Sequence, residues 1–206
     1  MVDLKSFGLK NVTDEDWNHA IKTIQELKSR LKLASGVAPV SISNNLLVCS
    51  KKNFAGKKSK ENAYLPALIA DFIRYQLLLT KRSFSFETVM SHPGKVDFIS
   101  TAKDKGYKTY LYYLATESVK INLQKVENRV AEGGHDVPDE KVVKRYGKSL
   151  NLLYPALKEV DRAYLIDTSK NKSEVILEKK NDGTINFFVE RPPHWVEEYV
   201  IRYLKS

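Results

Sequence analysis

Between residues 83 and 167 the chain alternates strand-type and helix-type segments, and this alternation restricts the fold more than any other feature. Residues 83–90 place Phe84 and Phe86 between polar neighbours and read as a short strand. Residues 93–105 read as a helix closed by Gly106, a residue suited to the left-handed conformation that ends helices. Residues 107–115 are strongly aromatic, which predicts a strand with at least one covered face. Residues 118–132 form a helix stopped by Gly133-Gly134. Asp136 and Asp139 then cap another, with Pro138 in its first turn, reaching about Lys158. Residues 163–167 are a third strand. Helices between successive strands predict an α/β layer built on a parallel sheet, because parallel neighbours need a crossover connection.

The flanks are organised differently. Thr13 and Asp16 resemble a capping box, and Trp17, Ala20, Ile21, Ile24, Leu27 and Leu31 recur at helical spacing until Gly36 and Pro39. Residues 51–60 hold five lysines and Gly56, the composition of a solvated loop. Residues 61–80 predict a helix apolar around most of its circumference and therefore largely buried. Two β-rich runs, 174–180 and 184–190, surround Asn181-Asp182-Gly183 and predict a hairpin. After Pro192-Pro193, the spacing of Trp195, Val196, Tyr199, Val200, Tyr203 and Leu204 predicts a closing amphipathic helix. The organisation expected is a helix and basic loop over 1–60, an α/β core over 61–170, and a hairpin with helix over 171–206, together one domain.

Composition excludes several classes. Hydrophobic residues at 42% with 29% charged are globular in balance. Lys and Arg number 34 against 25 Asp and Glu, and the net charge of +9 favours anionic partners without choosing among them. The single cysteine, Cys49, excludes an intrachain disulfide and a cysteine-based zinc cluster, which fits a reducing compartment. The most apolar stretch, 65–79, is interrupted by Pro66, Asp71 and Arg74, so no membrane span is expected. The start of the chain has no secretory core, and the expectation is a cytoplasmic protein.

The strongest chemical signal is Arg129-Val-Ala-Glu-Gly133-Gly134-His135-Asp136-Val-Pro138, followed by Arg145-Tyr146. Two glycines between helices permit a sharp reversal that presents backbone N–H groups and brings two arginines to one mouth. Arginine supplies fixed donors for phosphate oxygens, as a phosphoryl-transfer lid requires. The same residues suit an ordinary helix–loop–helix corner with solvated arginines, the commoner case. Glu87 and Thr88, at the carboxyl end of an expected parallel strand, lie where open α/β sheets bind ligands, or else Glu87 caps the next turn. Gly56-Lys57-Lys58-Ser59 is no phosphate loop, since Lys51 stands where the first glycine is required. His19, His92, His135 and His194 lack metal-ligand spacing, so no metal site is expected. Cys49 has no neighbouring histidine to activate it. Tyr107, Tyr110, Tyr112 and Tyr113 suit a base-stacking platform, but fit better a strand whose aromatics pack on helices.

With these residues in place, the chain resembles the zeta-toxin family of P-loop kinases. The matching stretches are Asn62-Ala-Tyr-Leu, Ala70-Asp71-Phe72-Ile73-Arg74, Phe84-Ser-Phe-Glu87-Thr88-Val-Met-Ser91, Lys105-Gly106-Tyr107 and Arg129 through Pro138. Arg145-Tyr146, Ser149-Leu150 and Arg162-Ala-Tyr-Leu-Ile-Asp167-Thr-Ser169 complete the set, in order and spacing, from about residue 60 to 170. The resemblance implies ATP- and Mg²⁺-dependent phosphorylation, in the best-known members of a UDP-linked amino sugar, with an antitoxin as a possible protein partner. It implies that Glu87 and Thr88 help form the substrate site and that Arg129 and Arg145, in a lid around 129–146, contact ATP phosphates. It also places Asp167 through Ser169 near the adenine.

The departure from the family is as informative. Its members begin with an apolar strand and a glycine-rich loop ending in Gly-Lys-Ser/Thr, followed by a strand bearing an aspartate base, and this sequence contains neither. The fold implied is therefore a P-loop kinase sheet missing its N-terminal strand and phosphate loop, with a C-terminal hairpin and helix. Electrostatic positioning supplies nearly all the catalysis of phosphoryl transfer, so the chain alone is expected to be close to inert and to bind ATP weakly or not at all. Such a chain is either a truncated form, with an N-terminal fragment supplied separately as its partner, or a naturally degenerate one. The rival reading is a non-catalytic module that binds nucleic acid or an acidic protein through the lysines of residues 51–60.

Overall fold

A computed structural model describes residues 2–23, 40–43, 46–49 and 65–205. The chain forms two compact units, Met1–Phe86 and Glu87–Ser206. In the first, strands β1 (Val2–Asp3), β2 (Val40–Ser43) and β3 (Leu46–Cys49) make an antiparallel sheet in the order β1-β3-β2, with Val2 opposite Leu47 and Ser43 opposite Leu46. The basic loop at 51–60 lies outside the described residues. Helix α1 (Asp14–Thr23) opens on the expected capping box. The Thr13 N–H donates to Asp16 Oδ2 at 2.8 Å and the Asp16 N–H donates to Thr13 Oγ1 at 3.4 Å, so each backbone donor is met by the other residue's side-chain oxygen.

Helix α2 (Leu65–Leu79) supplies much of the first core. Phe72, Ile73, Leu77 and Leu78 are buried, as are Asp71 and Gln76, so only a narrow strip of its last two turns meets solvent. Trp17 of α1 meets Phe72 edge-on, with centroids 4.9 Å apart. Buried Asp71 is paired with Arg74 one turn along, which meets the cost of holding a carboxylate inside.

The second unit is built on a four-stranded sheet, β4 (Tyr110–Ala115), β5 (Arg162–Asp167), β6 (Glu174–Lys179) and β7 (Ile185–Phe187), in the order β4-β5-β6-β7. β4 and β5 run parallel, from Tyr110 opposite Arg162 to Ala115 opposite Asp167, and the other pairs are antiparallel. The protein is therefore mixed α/β, with one parallel pair where a parallel sheet was expected. The expected hairpin forms: Gly183 takes φ 84°, and the Asp182 carboxylate accepts the Thr184 N–H at 2.9 Å.

Three helices connect the parallel strands: α4 (Val119–Ala131), α5 (Asp139–Asn151) and α6 (Leu153–Glu159), while α3 (Gly94–Asp104) precedes β4. The helix expected to reach about Lys158 is broken at Leu152, because Pro155 has no N–H to offer the carbonyl of Asn151. After Pro193 come α7 (His194–Val196), a π-helical turn (Glu197–Ile201) and α8 (Arg202–Leu204). Tyr113, Leu153, Leu157, Leu165, Leu177, Trp195 and Val200 form the core of this unit.

Residues 83–90, expected as a strand, have no regular secondary structure. A strand is stabilised by a ladder partner, and none is found for this segment among the described residues. Phe84 and Phe86 instead stack on each other at 6.4 Å, the Arg74 guanidinium lies 4.6 Å from the Phe86 ring centre, and Met90 turns the chain with φ 51°. Among the described residues no helix is long and apolar enough to cross a membrane.

Candidate functional site

The carboxyl ends of β4 and β5 carry the densest polar network of the second unit. The two strands are clamped at their amino ends, where the Thr109 N–H donates to Asp161 Oδ2 at 2.7 Å and the Asp161 N–H donates to Thr109 Oγ1 at 3.0 Å. At the carboxyl ends the Thr168 N–H donates to the Ala115 carbonyl at 2.8 Å, and the Glu117 N–H donates to Ser169 Oγ at 2.7 Å. The buried Asp167 carboxylate accepts the Ser169 N–H at 2.8 Å and the Trp195 indole N–H at 2.9 Å. Glu117 accepts the N–H of His194 at 3.1 Å, which seats the start of the C-terminal helix on the strand ends.

Both helices of the α4–α5 hairpin are fastened to this end of the sheet. Lys125 of α4 donates to the Thr168 carbonyl, and Thr116 Oγ1 contacts Asn122 at 3.0 Å. Tyr146 of α5 donates to the Thr116 carbonyl at 2.8 Å, and the Tyr113 hydroxyl shares a hydrogen bond with Ser149 at 3.0 Å. Burial pushes both tyrosine hydroxyls up to about 12, with the carboxylates of Glu117 and Asp167 adding to the effect at Tyr146. Both therefore remain protonated across the physiological range.

The turn between the helices is a lock. Gly133 at φ 86° donates its N–H to the Val130 carbonyl at 3.0 Å, and Gly134 donates to the Arg129 carbonyl at 2.8 Å, the pair of bonds that defines a Schellman motif. The N–H groups expected to face a ligand are thus spent on the helix end. A Cβ on Gly134 would stand 2.8 Å from the Arg129 carbonyl oxygen, so the first glycine is required by its dihedral and the second by the approach of backbone.

Of the residues singled out from sequence, Asp167 and Ser169 lie inside the strand-end network, and both are committed to internal hydrogen bonds. Arg129 and Arg145 are exposed on the two helices of one hairpin. The Arg129 guanidinium donates to the His135 carbonyl at 2.7 Å and so ties down the turn. Glu87 and Thr88 are exposed in the coil before α3, where Thr88 Oγ1 accepts the Met90 N–H at 3.3 Å. Among the described residues no hydrogen bond joins Glu87 or Thr88 to either arginine. Glu117, Asn122, Tyr146 and Trp195 are equally part of the network. Their partners stand up to 77 residues away, and no local motif marks such pairings.

Among the described residues no group of three or more His, Cys, Asp or Glu side chains is placed to hold a metal. At the glycine turn the N–H groups of Gly133 and Gly134 are both taken by the helix end.

No protein-family model matches the chain, and no solved structure matches it. Over 63 residues, 31% of the chain, it is 33% identical to an uncharacterized protein of Haemophilus influenzae. The match spans 45% of that protein's length.

Proposed function

We propose that the chain is the acceptor-and-lid portion of an ATP-dependent phosphotransferase of the zeta-toxin type, competent only when a complementary segment supplies the phosphate loop. One observation supports this best: the outer edge of β4 has no neighbour among the described residues, although β4 belongs to a parallel pair. The outward face of the same strand leaves Tyr110, Tyr112 and Leu114 exposed, Tyr112 to 63%. Parallel strands are normally covered on both faces, so a strand such as β4, uncovered along one edge and one face among the described residues, has room for a further strand beside it. A strand laid on that edge would bring its carboxyl end beside Thr116, Glu117 and the fastened α4–α5 hairpin, where nucleotides bind in open α/β sheets. In that assembly Arg129 and Arg145 are the lid cations, and Glu87 and Thr88 belong to the acceptor side, where a UDP-sugar-like molecule would bind.

Titration calorimetry of the full chain with ATP and Mg²⁺ should give no micromolar binding. Adding a separately expressed strand–phosphate-loop–helix segment from a zeta-toxin kinase should restore it, and Arg145→Gln should weaken the restored binding. Micromolar binding by the chain alone, or failure of the added segment, overturns the reading.

The charge distribution favours a second reading, of a nucleic-acid or acidic-protein binder. Residues 1–86 carry 14 Lys and Arg against 7 Asp and Glu, whereas residues 87–206 carry 20 against 18. Binding of a random oligonucleotide that weakens with salt and disappears when the five lysines of residues 51–60 are replaced would establish it.

A further inference from the structure

A cavity of about 570 Å³ lies wholly within the first unit, between the 3₁₀ turn (Leu4–Phe7), the end of α2 and the extended residues after it. Its wall carries the Arg82 guanidinium, which crosses the face of Gly8: a Cβ there would fall 2.9 Å from Arg82 Cζ. Among the described residues no carboxylate pairs with Arg82, and none lines the cavity. Ser83 and Ser85 follow, and neither their hydroxyls nor their backbone N–H groups have a partner among the described residues. Phe7 and Phe84 supply the apolar walls.

The carbonyls that end its two helical walls are already accepting: Leu4 and Lys5 from Gly8 and Leu9, Leu77 and Leu78 from Arg82 and Lys81, and Gln76 from Thr80. The donors at this cavity are a planar guanidinium fork, two hydroxyls and two backbone N–H groups, carried on exposed residues beside two aromatic rings. A guanidinium with hydroxyl and backbone donors beside it, and no carboxylate among the described residues to neutralise it, suits an oxyanion, and the fork matches two oxygens on one atom. The apolar walls select the body that carries it.

We infer that this cavity is a binding site for a small oxyanion, a phosphate monoester or a carboxylate, carried on a flat apolar group. The site lies outside the strand ends of the second unit and does not rest on the phosphotransferase reading.

The test uses the full chain, ¹⁵N-labelled, titrated with phenyl phosphate, benzoate, inorganic phosphate and benzyl alcohol. Phenyl phosphate or benzoate should shift the Ser83 and Ser85 amide signals saturably, and the stronger of the two identifies the oxyanion. Inorganic phosphate should bind about tenfold more weakly for lack of the apolar contact, and benzyl alcohol should not saturate. Arg82→Gln should weaken the anion by about tenfold or more, and Arg82→Lys by less, since it keeps the charge and loses the fork. An unchanged Trp17 indole N–H signal in the ¹⁵N spectra of both variants will show that the unit is folded. Unaltered affinity in Arg82→Gln, or the absence of saturable shifts with either aromatic anion, overturns the inference.

Discussion

The two glycines after α4 look interchangeable in sequence, and the structure requires each for a different reason. Gly133→Ala leaves open space around the new methyl but forces an L side chain to φ 86°, at a cost of about 1–2 kcal/mol. Gly134→Ala instead drives its Cβ to 2.6 Å from Arg129 Cγ and 2.8 Å from the Arg129 carbonyl oxygen. The side chain can swing away; the carbonyl is held by the Gly134 N–H itself, so relief breaks the motif, and a cost of about 1–3 kcal/mol is expected. Gly147, inside α5, has nothing within 4 Å of its Cβ position, so Gly147→Ala should stabilise by about 0.5–1 kcal/mol. Each unit has its own buried tryptophan, Trp17 in the first and Trp195 in the second. Urea unfolding in a Trp17→Phe background, followed by fluorescence, therefore reports the second unit alone. With a slope of about 2 kcal/mol per molar urea, Gly134→Ala should lower the midpoint by roughly 1 M and Gly147→Ala should raise it by a few tenths. Equal midpoints for Gly134→Ala and the parent, or a loss in Gly147→Ala as large as in Gly134→Ala, would refute the steric argument.

Three further outcomes are expected. The Tyr113 hydroxyl is pushed up to about 12 by burial, so the folded state holds its proton more tightly than the unfolded chain, whose value is near 10.0. Its stabilising contribution, roughly 2–3 kcal/mol, is complete below pH about 10 and is lost as pH rises towards 12. Tyr113→Phe should flatten that alkaline fall in urea midpoint, and an unchanged slope would argue against it. Lys81 closes α2 with φ 53°, donating to Leu78 while Arg82 donates to Leu77; Lys81→Gly should slow amide exchange of Phe72 by the equivalent of about 1 kcal/mol. Trp195→Phe removes the indole donor from buried Asp167 and should cost about 1–3 kcal/mol by circular dichroism in urea, whereas a parent-like midpoint would mean that the bond adds nothing.

What could be read from sequence was what local chemistry determines. The Thr13–Asp16 box, the glycine stop at 133–134 and the Asn181-Asp182-Gly183 hairpin each depend on residues within one turn of each other. The parallel pair β4–β5 followed from helices alternating with strands. The strand expected at 83–90 failed because alternation of Phe84 and Phe86 shows only that a segment suits a sheet, and says nothing of whether an edge awaits it. The split of the long helix at Leu152 was legible in principle, since Pro155 is visible in the sequence. Trp195 against Asp167 and Tyr146 against Thr116 were not, because those pairings arise from how α5 and the C-terminal helix return to the strand ends. Gly134 shows the same boundary: its presence was obvious, but its crowding by Arg129 is a fact of three dimensions.

The run Tyr110-Leu-Tyr-Tyr-Leu-Ala115 contains no charge, no proline and no bulge, and only Lys108 and Glu117 flank it as deterrents. Such a segment is a template for growing cross-β stacks. Turbidity on storage should therefore scale steeply with protein concentration and subside when a lysine replaces Tyr112, a purely colloidal consequence of where one strand happens to stand.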